Sequence, residues 1–454
     1  MTKYLALLSL LANMAWASQE ATLTFTWVGI AALIIFVLGY YFIAAEEKYH
    51  INKAKPALFI GTFLFMLIGF YDVTHGIAVE DLHHEVKLLI LEIAEIFFFL
   101  FVAMTYIEAL IERRVFDTLK YNLVSKGYSY KKLYWLTGLI AFFLSPVADN
   151  LTTALILSTV LITIERKNKK FLVPGAINIV VAANAGGAWS PFGDITTLMA
   201  WTANKGHFGD FMYLFPASVV GWITTAWLLS LYVPKDKPVF DVSTEPRVNI
   251  LKGGKVIIGL GIFTISSAVL SHQIFNLPAM WGMMFGLSLL KLYSYQLKTR
   301  HQEDIGVFKS ISKIENDTLL FFFGILAAVG ALHFLGFLDL AAKLYESAGA
   351  TTVNIGVGFL SAIVDNVPVM SAVLKSNPQM GLDQWLLVTL TAGIGGSLIS
   401  FGSAAGVGVM GKLRGIYTFS AHMKYAWTIL VGYILSVAIW FIQFEILNFY
   451  PHWK

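Results

Sequence analysis

The sequence predicts an all-α polytopic membrane protein made of two inverted repeats. Each repeat has five transmembrane helices, a re-entrant hairpin and a broken helix. Three observations predict it. First, 57% of the 454 residues are hydrophobic, only 13% are charged, and mean hydropathy is +0.70. Soluble domains carry roughly twice that charged fraction, and apolar runs of about 20 residues, long enough to cross a bilayer, recur along the whole chain. Second, the same polar pair interrupts two apolar runs: "FLSPVADNLTTALIL" at 143–157 and "FLSAIVDNVPVMSAVL" at 359–374. Third, a series of motifs occurs twice in the same order.

The first element is a leader. In "MTKYLALLSLLANMAWASQEA", Lys3 precedes a short apolar stretch and Ala15-Trp16-Ala17 is a small-x-small pattern. Residues 1–18 therefore read as a signal peptide, or alternatively as an extra N-terminal helix. Crossings follow at about 23–45, 56–71, 88–111, 172–203 and 211–233. A second set lies at about 253–271, 277–295, 315–342, 383–411 and 421–446. The stretches 132–165 and 350–376 remain, each broken by Asp-Asn into halves too short to span comfortably. Arg113, Arg114, Lys120, Lys126, Lys131 and Lys132 precede the first stretch, and Arg166, Lys167, Lys169 and Lys170 follow it. Basic flanks are cytoplasmic, so this segment starts and ends on one side and is a hairpin. Its non-helical tip is tolerable only inside protein or a wet cavity.

Alternation from an external mature N-terminus puts five Lys outside: Lys87, Lys205, Lys343, Lys375 and Lys454. With Lys3 in the leader, the remaining 26 of the 32 Lys and Arg lie on cytoplasmic segments. The reverse orientation would invert that bias. The second hairpin then enters from outside, and both termini of the mature chain are external. The expected location is the inner (cytoplasmic) membrane.

The duplication is legible in four pairs. "KPALF" at 55–59 matches "LPAMW" at 277–281, and Phe97-Phe98-Phe99 matches Phe321-Phe322-Phe323. "LSPVADN" at 144–150 matches "LSAIVDN" at 360–366, and "GGAWSPFGD" at 186–194 matches "GGSLISFGS" at 395–403. The repeats are assigned to 19–240 and 241–454. Five crossings per half is an odd number, so the second half is inverted. Inverted repeats with broken helices are the signature of secondary transporters.

Chemistry should sit where polar groups are costly. A carboxylate near the bilayer centre costs about 2.5–3.5 kcal/mol, yet Asp149 and Asp365 occupy matched hairpin tips. A capping Asp is the structural alternative. The tip of each hairpin also exposes helix-end carbonyls, which favour a cation. Asn150, Thr152 and Thr153 add oxygens at the first tip and Asn366 at the second, although the threonine hydroxyls could instead bond back to their own helix. "NAGGAWSPFGDITT" at 184–197 and "GIGGSLISFGSAAG" at 393–406 read as unwound, since helix interiors lose about 1 kcal/mol per Gly and about 3 per Pro. They offer Asn184, Asp194 and Thr196 from the first half, and Ser400 and Ser403 from the second. Gly186, Gly187, Gly395 and Gly396 are read as close-packing positions. Glu92 and Glu95 share a helix face; Glu92 is taken as solvated, Glu95 as a possible proton relay, and Glu108 as a surface partner of Arg113. His75, His83 and His84 are placed in an external loop. The chain has no cysteine, which excludes disulfides, thiolate metal sites and cysteine nucleophiles.

These motifs resemble the ion transporter superfamily. Within it, "SPVADNLTT", "NAGGAWSPFGDITT" and "SAIVDNVP" are similar to the NhaD-type sodium/proton antiporters, over about residues 50–446. The resemblance implies a non-enzymatic antiporter that exports Na⁺ or Li⁺ against H⁺ and serves pH homeostasis. It also implies an elevator-like mechanism and a homodimer in the lipid bilayer. Neither a cofactor nor a nucleic-acid partner is expected. Carried over residue by residue, the ion-binding and proton-coupling set is Asp149, Asn150, Thr153, Asn184, Asp194, Thr196, Asp365, Asn366, Ser400 and Ser403. Thr152 joins it from its position, and the Na⁺ site is expected at Asp149, Asn150, Asp365 and Asn366. The alternatives are an Na⁺-coupled anion or dicarboxylate carrier, an arsenite exporter on the same fold, and, remotely, an intramembrane aspartyl protease. Acids at the tips would repel a dianion, by about 4 kcal/mol per close pair at an effective dielectric of 20.

Overall fold

The computed structural model describes residues 23–49, 51–76, 79–238, 248–301 and 316–449. The leader 1–18 lies outside the described residues. Among those described, every regular element is helical. The principal helices are α1 (Trp27–Ala44), α2 (Ala54–His75), α3 (Val79–Glu112), α4 (Val115–Val124), α5 (Tyr130–Ala148), α6 (Asn150–Ile164), α7 (Lys169–Ala188), α8 (Ile195–Thr202), α9 (Phe215–Ser230) and α10 (Gly254–Gln273). They continue as α11 (Ala279–His301), α12 (Asn316–Phe334), α13 (Phe337–Ala348), α14 (Ala350–Ile363), α15 (Asn366–Ser376), α16 (Leu382–Gly395), α17 (Ala404–Lys412), α18 (Phe419–Met423) and α19 (Ala426–Phe441). Eight candidate spans among the described residues are long and apolar enough to cross a membrane. Helix α11 is long enough, but its polar end, "YSYQLKTRH", lowers its hydropathy.

The chain forms two compact units, each drawing segments from both halves of the sequence. The first comprises residues up to Ile93, Asp317–Ser347 and Ser371–Pro378. Its helices approach closely at small residues. A Cβ on Gly39 of α1 would strike the Ile60 side chain of α2, and one on Gly61 of α2 would strike the Gly324 carbonyl of α12. Gly76, at φ +66°, ends α2 abruptly with its N–H donated to Asp72, because only glycine takes that conformation without cost. His75 is therefore the last residue of α2, stacked 4.1 Å from Tyr71. His83 and His84 lie in the first turns of α3, not in a loop. Glu92 is not merely solvated: its carboxylate accepts from the Lys375 ammonium at 2.7 Å.

The second unit comprises Ala94–Asn316, Ala348–Met370 and Gln379–Lys454. Its centre is α7, in which every residue from Phe171 to Ala188 is buried. Helix α7 packs on α5, α6, α9 and α16. The buried amide of Asn178 ties this core together, donating to the Tyr134 carbonyl of α5 at 2.9 Å and accepting from Trp222 Nε1 of α9 at 3.0 Å. Matched glycines set the approach of each broken helix to its hairpin. A Cβ on Gly186 would collide with the Phe142 carbonyl, and one on Gly395 with the Gly358 carbonyl. Bulky packing is thus forbidden there, as the adjacent glycines suggested. Ser145 Oγ of α5 donates to the Ala183 carbonyl at 2.6 Å, and Ser361 Oγ of α14 donates to the Ala392 carbonyl at 2.7 Å. Each serine fastens the first half-helix of a hairpin to the helix that leads into an unwound segment.

Candidate functional site

A single residue, Asp149, joins α5 to α6. Its φ of +54° is a left-handed conformation that costs a non-glycine residue about 1–3 kcal/mol. Two bonds hold it. The Thr152 N–H and hydroxyl donate to the Asp149 carboxylate at 2.8 and 2.7 Å, so Asp149 caps α6 in the manner anticipated. The same turn directs the next residue, Asn150, into the core. Asn150 Nδ2 donates to Asn184 Oδ1 at 3.1 Å and to Asp194 Oδ2 at 3.0 Å.

Asp194 is the hub. It precedes α8, accepts the Thr196 N–H at 3.0 Å and the Thr196 hydroxyl at 3.1 Å, and is 3% exposed. From the second hairpin, Asn366 Nδ2 donates to both carboxylate oxygens at 3.3 Å. The asparagines of both tips therefore converge on one carboxylate. Asp365, also buried, is close enough to interact with it electrostatically. Among the described residues the donors to Asp194 are neutral: two amides, a hydroxyl and a peptide N–H.

Asn184 links the two unwound segments. Its Nδ2 donates to Ser397 Oγ at 2.8 Å and Ser403 Oγ at 2.9 Å. Those bonds leave Oδ1 free to accept from Asn150. Ser403 caps α17 through the Gly406 N–H, as Asp194 caps α8. Two further hydroxyls, Thr153 Oγ1 and Ser400 Oγ, are buried without a hydrogen-bond partner among the described residues. A buried group left unmatched costs about 1–3 kcal/mol. This is a compact group of oxygen ligands inside an apolar helical unit, with a carboxylate at its centre. Such a set suits a hard cation.

Comparison with known proteins gives the family. A family model described as "Citrate transporter" (CitMHS) matches residues 40–393. The "Na(+)/H(+) antiporter NhaD" of Vibrio cholerae is 43% identical over 474 residues, covering 97% of this chain and 98% of that one. The protein of the same name from Alkalimonas amylolytica is 42% identical over 451 residues, 94% of this chain and 92% of its own. The chain belongs to the NhaD antiporter family. "Sodium/proton antiporter 1" of Arabidopsis thaliana is a more distant relative, 30% identical over 436 residues, 92% of this chain and 74% of that one. Membership places the NhaD-family chain among transporters and sets the protease alternative aside.

Most of the residues singled out from the sequence are gathered here. Asn150, Asn184, Asp194, Thr196, Asn366 and Ser403 form one hydrogen-bonded network; Thr153, Asp365 and Ser400 are buried in the same unit. Asp149 and Thr152 bond to each other at the edge of this network. Glu95 is half-buried on α3. Glu108 lines a cleft beside α6, and Arg113 pairs with Glu112 at 3.7 Å. Ser397, which joins the network through Asn184, is not among the sequence-derived site residues; its signal is its position in the stretch matched to Gly186–Asp194. Asn178 of this NhaD-family helix carried no motif at all.

Proposed function

We propose that the chain exchanges Na⁺, or Li⁺, for H⁺ across the inner membrane, with Asp194 at the centre of the binding site. The observation that carries this reading is the convergence of Asn150 and Asn366, one from each hairpin, on the buried Asp194 carboxylate. Thr153 and Ser400 add hydroxyls whose hydrogen-bonding capacity is unspent, and Asp365 adds a second acid. A sodium ion and a proton compete for the same carboxylate, since protonation removes the charge that holds the cation. Exchange follows if the empty, deprotonated carrier does not cross. The relatives' names point the same way.

The inverted duplication belongs to this proposal. It is supported by paired contacts: Ser145 with Ala183 recurs as Ser361 with Ala392, and Gly186 against Phe142 recurs as Gly395 against Gly358. Elevator-like movement and a homodimer, with both mature termini external, complete the reading.

The test uses purified protein in proteoliposomes with an internal pH dye, pulsed in turn with Na⁺, Li⁺, K⁺, citrate and succinate. Proton movement with Na⁺ or Li⁺ is expected, and Asp194→Asn abolishes it while leaving the thermal unfolding of the protein intact. Silence to alkali cations with a citrate or succinate response overturns the antiport reading. Unimpaired exchange in Asp194→Asn overturns the hub.

A further inference from the structure

We propose that a cleft between α3 and α6 is the cytoplasmic route of the transported cation, with Glu108 as its collecting carboxylate and Asp149 as the first acid at its foot. The inference rests on the antiport reading and deepens it by separating an entry ligand, Asp149, from the hub, Asp194.

The cleft has a volume of about 350 Å³. Two helical stripes form its walls. Helix α6 contributes Thr152, Ile156 and Thr159, and α3 contributes Met104, Glu108 and Ile111. Within each set the residues are four and then three apart, so each set lies on one helix face. The stripes also give the cleft a direction. Thr152 sits beside the hairpin tip, and Thr159, seven residues on, is roughly 10 Å nearer the basic end of the hairpin. In the proposed topology helix α3 runs the same way, toward the cytoplasm, so Glu108 and Ile111 approach the outer end of the cleft, which Asp117, Lys120 and Lys412 also line.

The inner end decides the function. Thr152 borders the cleft, and its hydroxyl and N–H are both donated to Asp149. A cation moving inward along the cleft thus reaches a threonine already bonded to a carboxylate. The adjacent residue, Asn150, is bonded to Asp194. The chain of contacts runs from open cleft through Thr152, Asp149 and Asn150 to the hub. A groove occupied by a lipid chain would have no use for a carboxylate on its wall, yet Glu108 is half-buried there. Two basic residues of the lining, Lys120 and Lys412, balance the acids Glu108 and Asp117, which keeps the cleft from trapping the ion.

The absence of cysteine makes the test direct. Ile156→Cys and Thr159→Cys are introduced singly into the full chain and reconstituted. A membrane-impermeant thiol reagent is applied from either face. Exchange is measured before and after, and the extent of labelling is read by mass spectrometry. Labelling is expected from the cytoplasmic face only; it should lower exchange several-fold, and Na⁺, but not choline, should slow it. Thr299→Cys, exposed near the end of α11, should label from the same face without loss of exchange. Glu108→Gln should raise the apparent KM for cytoplasmic Na⁺ about three- to tenfold, the scale of local cation enrichment by a charged cleft, with kcat much less affected. A merely structural Glu108 would lower kcat or the yield of folded protein instead. Complete labelling at both α6 positions with exchange unchanged overturns the route, as does an unaltered KM in Glu108→Gln. Sodium protection is read on the same samples without measuring transport. An inactive unmodified chain that still shows protection would therefore count against antiport and not against the cleft.

Discussion

Thr153 and Ser400 have buried hydroxyls with no partner among the described residues, in a core where Ser145, Ser361 and Thr391 all find carbonyls within 2.7 Å. An unmatched buried hydroxyl is a cost of about 1–3 kcal/mol, and a site that binds a cation recovers it when occupied. Thr153→Val, which keeps the side-chain shape, should therefore leave the melting temperature unchanged or raise it. The same substitution should weaken apparent Na⁺ affinity about tenfold, equivalent to about 1.4 kcal/mol. Sodium titrations of exchange together with thermal unfolding give both numbers. Loss of stability at full sodium affinity would assign the hydroxyl to packing. Asp149 makes a related point about single residues: its strained φ, held by Thr152, turns Asn150 rather than its own carboxylate toward Asp194.

Each hairpin is a unit whose two ends must be controlled as well as its tip. At the base of the first hairpin, outside the membrane-spanning segments, the Tyr130 hydroxyl donates to Glu165 at 2.6 Å. The other oxygen of Glu165 accepts the N–H groups of Arg166 and Lys167, both at 2.8 Å. The Tyr130 hydroxyl, followed by these N–H groups, holds the Glu165 carboxyl below its ordinary value of 4.5. A depressed folded pKa contributes stability above the unfolded value and loses it as pH falls through the folded one. Tyr130→Phe should thus lower the melting temperature modestly near neutral pH, with the gap to the parent closing on acidification. Parallel melting curves recorded from neutral to acid pH check this. A gap independent of pH would show that the hydroxyl acts through packing alone.

At the scale of the molecule, much of the plan was legible because the membrane penalises exceptions. Asp-Asn in an apolar run, basic residues on both flanks of 132–165, and Gly-Gly with Pro in the place of a span each have one economical meaning. The helices α5–α6, α7–α8, α14–α15 and α16–α17 break where those signals lie. What could not be read was which member of the first Asp-Asn pair faces the centre. That depends on one backbone angle at Asp149, which composition and spacing do not encode. The pairing of Asn184 with Ser397 and Ser403 was equally hidden, since it joins residues 213 and 219 positions apart. The proposed orientation has its own test in the cysteine-free background. Ser125→Cys and Thr299→Cys should label from the cytoplasm, and Asn276→Cys and Asn377→Cys from outside. Any one of the four reacting from the opposite face would revise the topology.

The burial of α7 from Phe171 onward carries a consequence for biosynthesis. This helix leaves the ribosome with Asn184 already in it, yet the serines that satisfy the Asn184 amide are 213 and 219 residues downstream. At about 5–20 residues per second of synthesis, the amide waits roughly 10–40 s for them. During that interval α7 has no complete protein environment, and lipid offers its amides no hydrogen bonds. The central helix is therefore made long before it can be packed, and its Asn184 amide is satisfied only when the second unwound segment arrives.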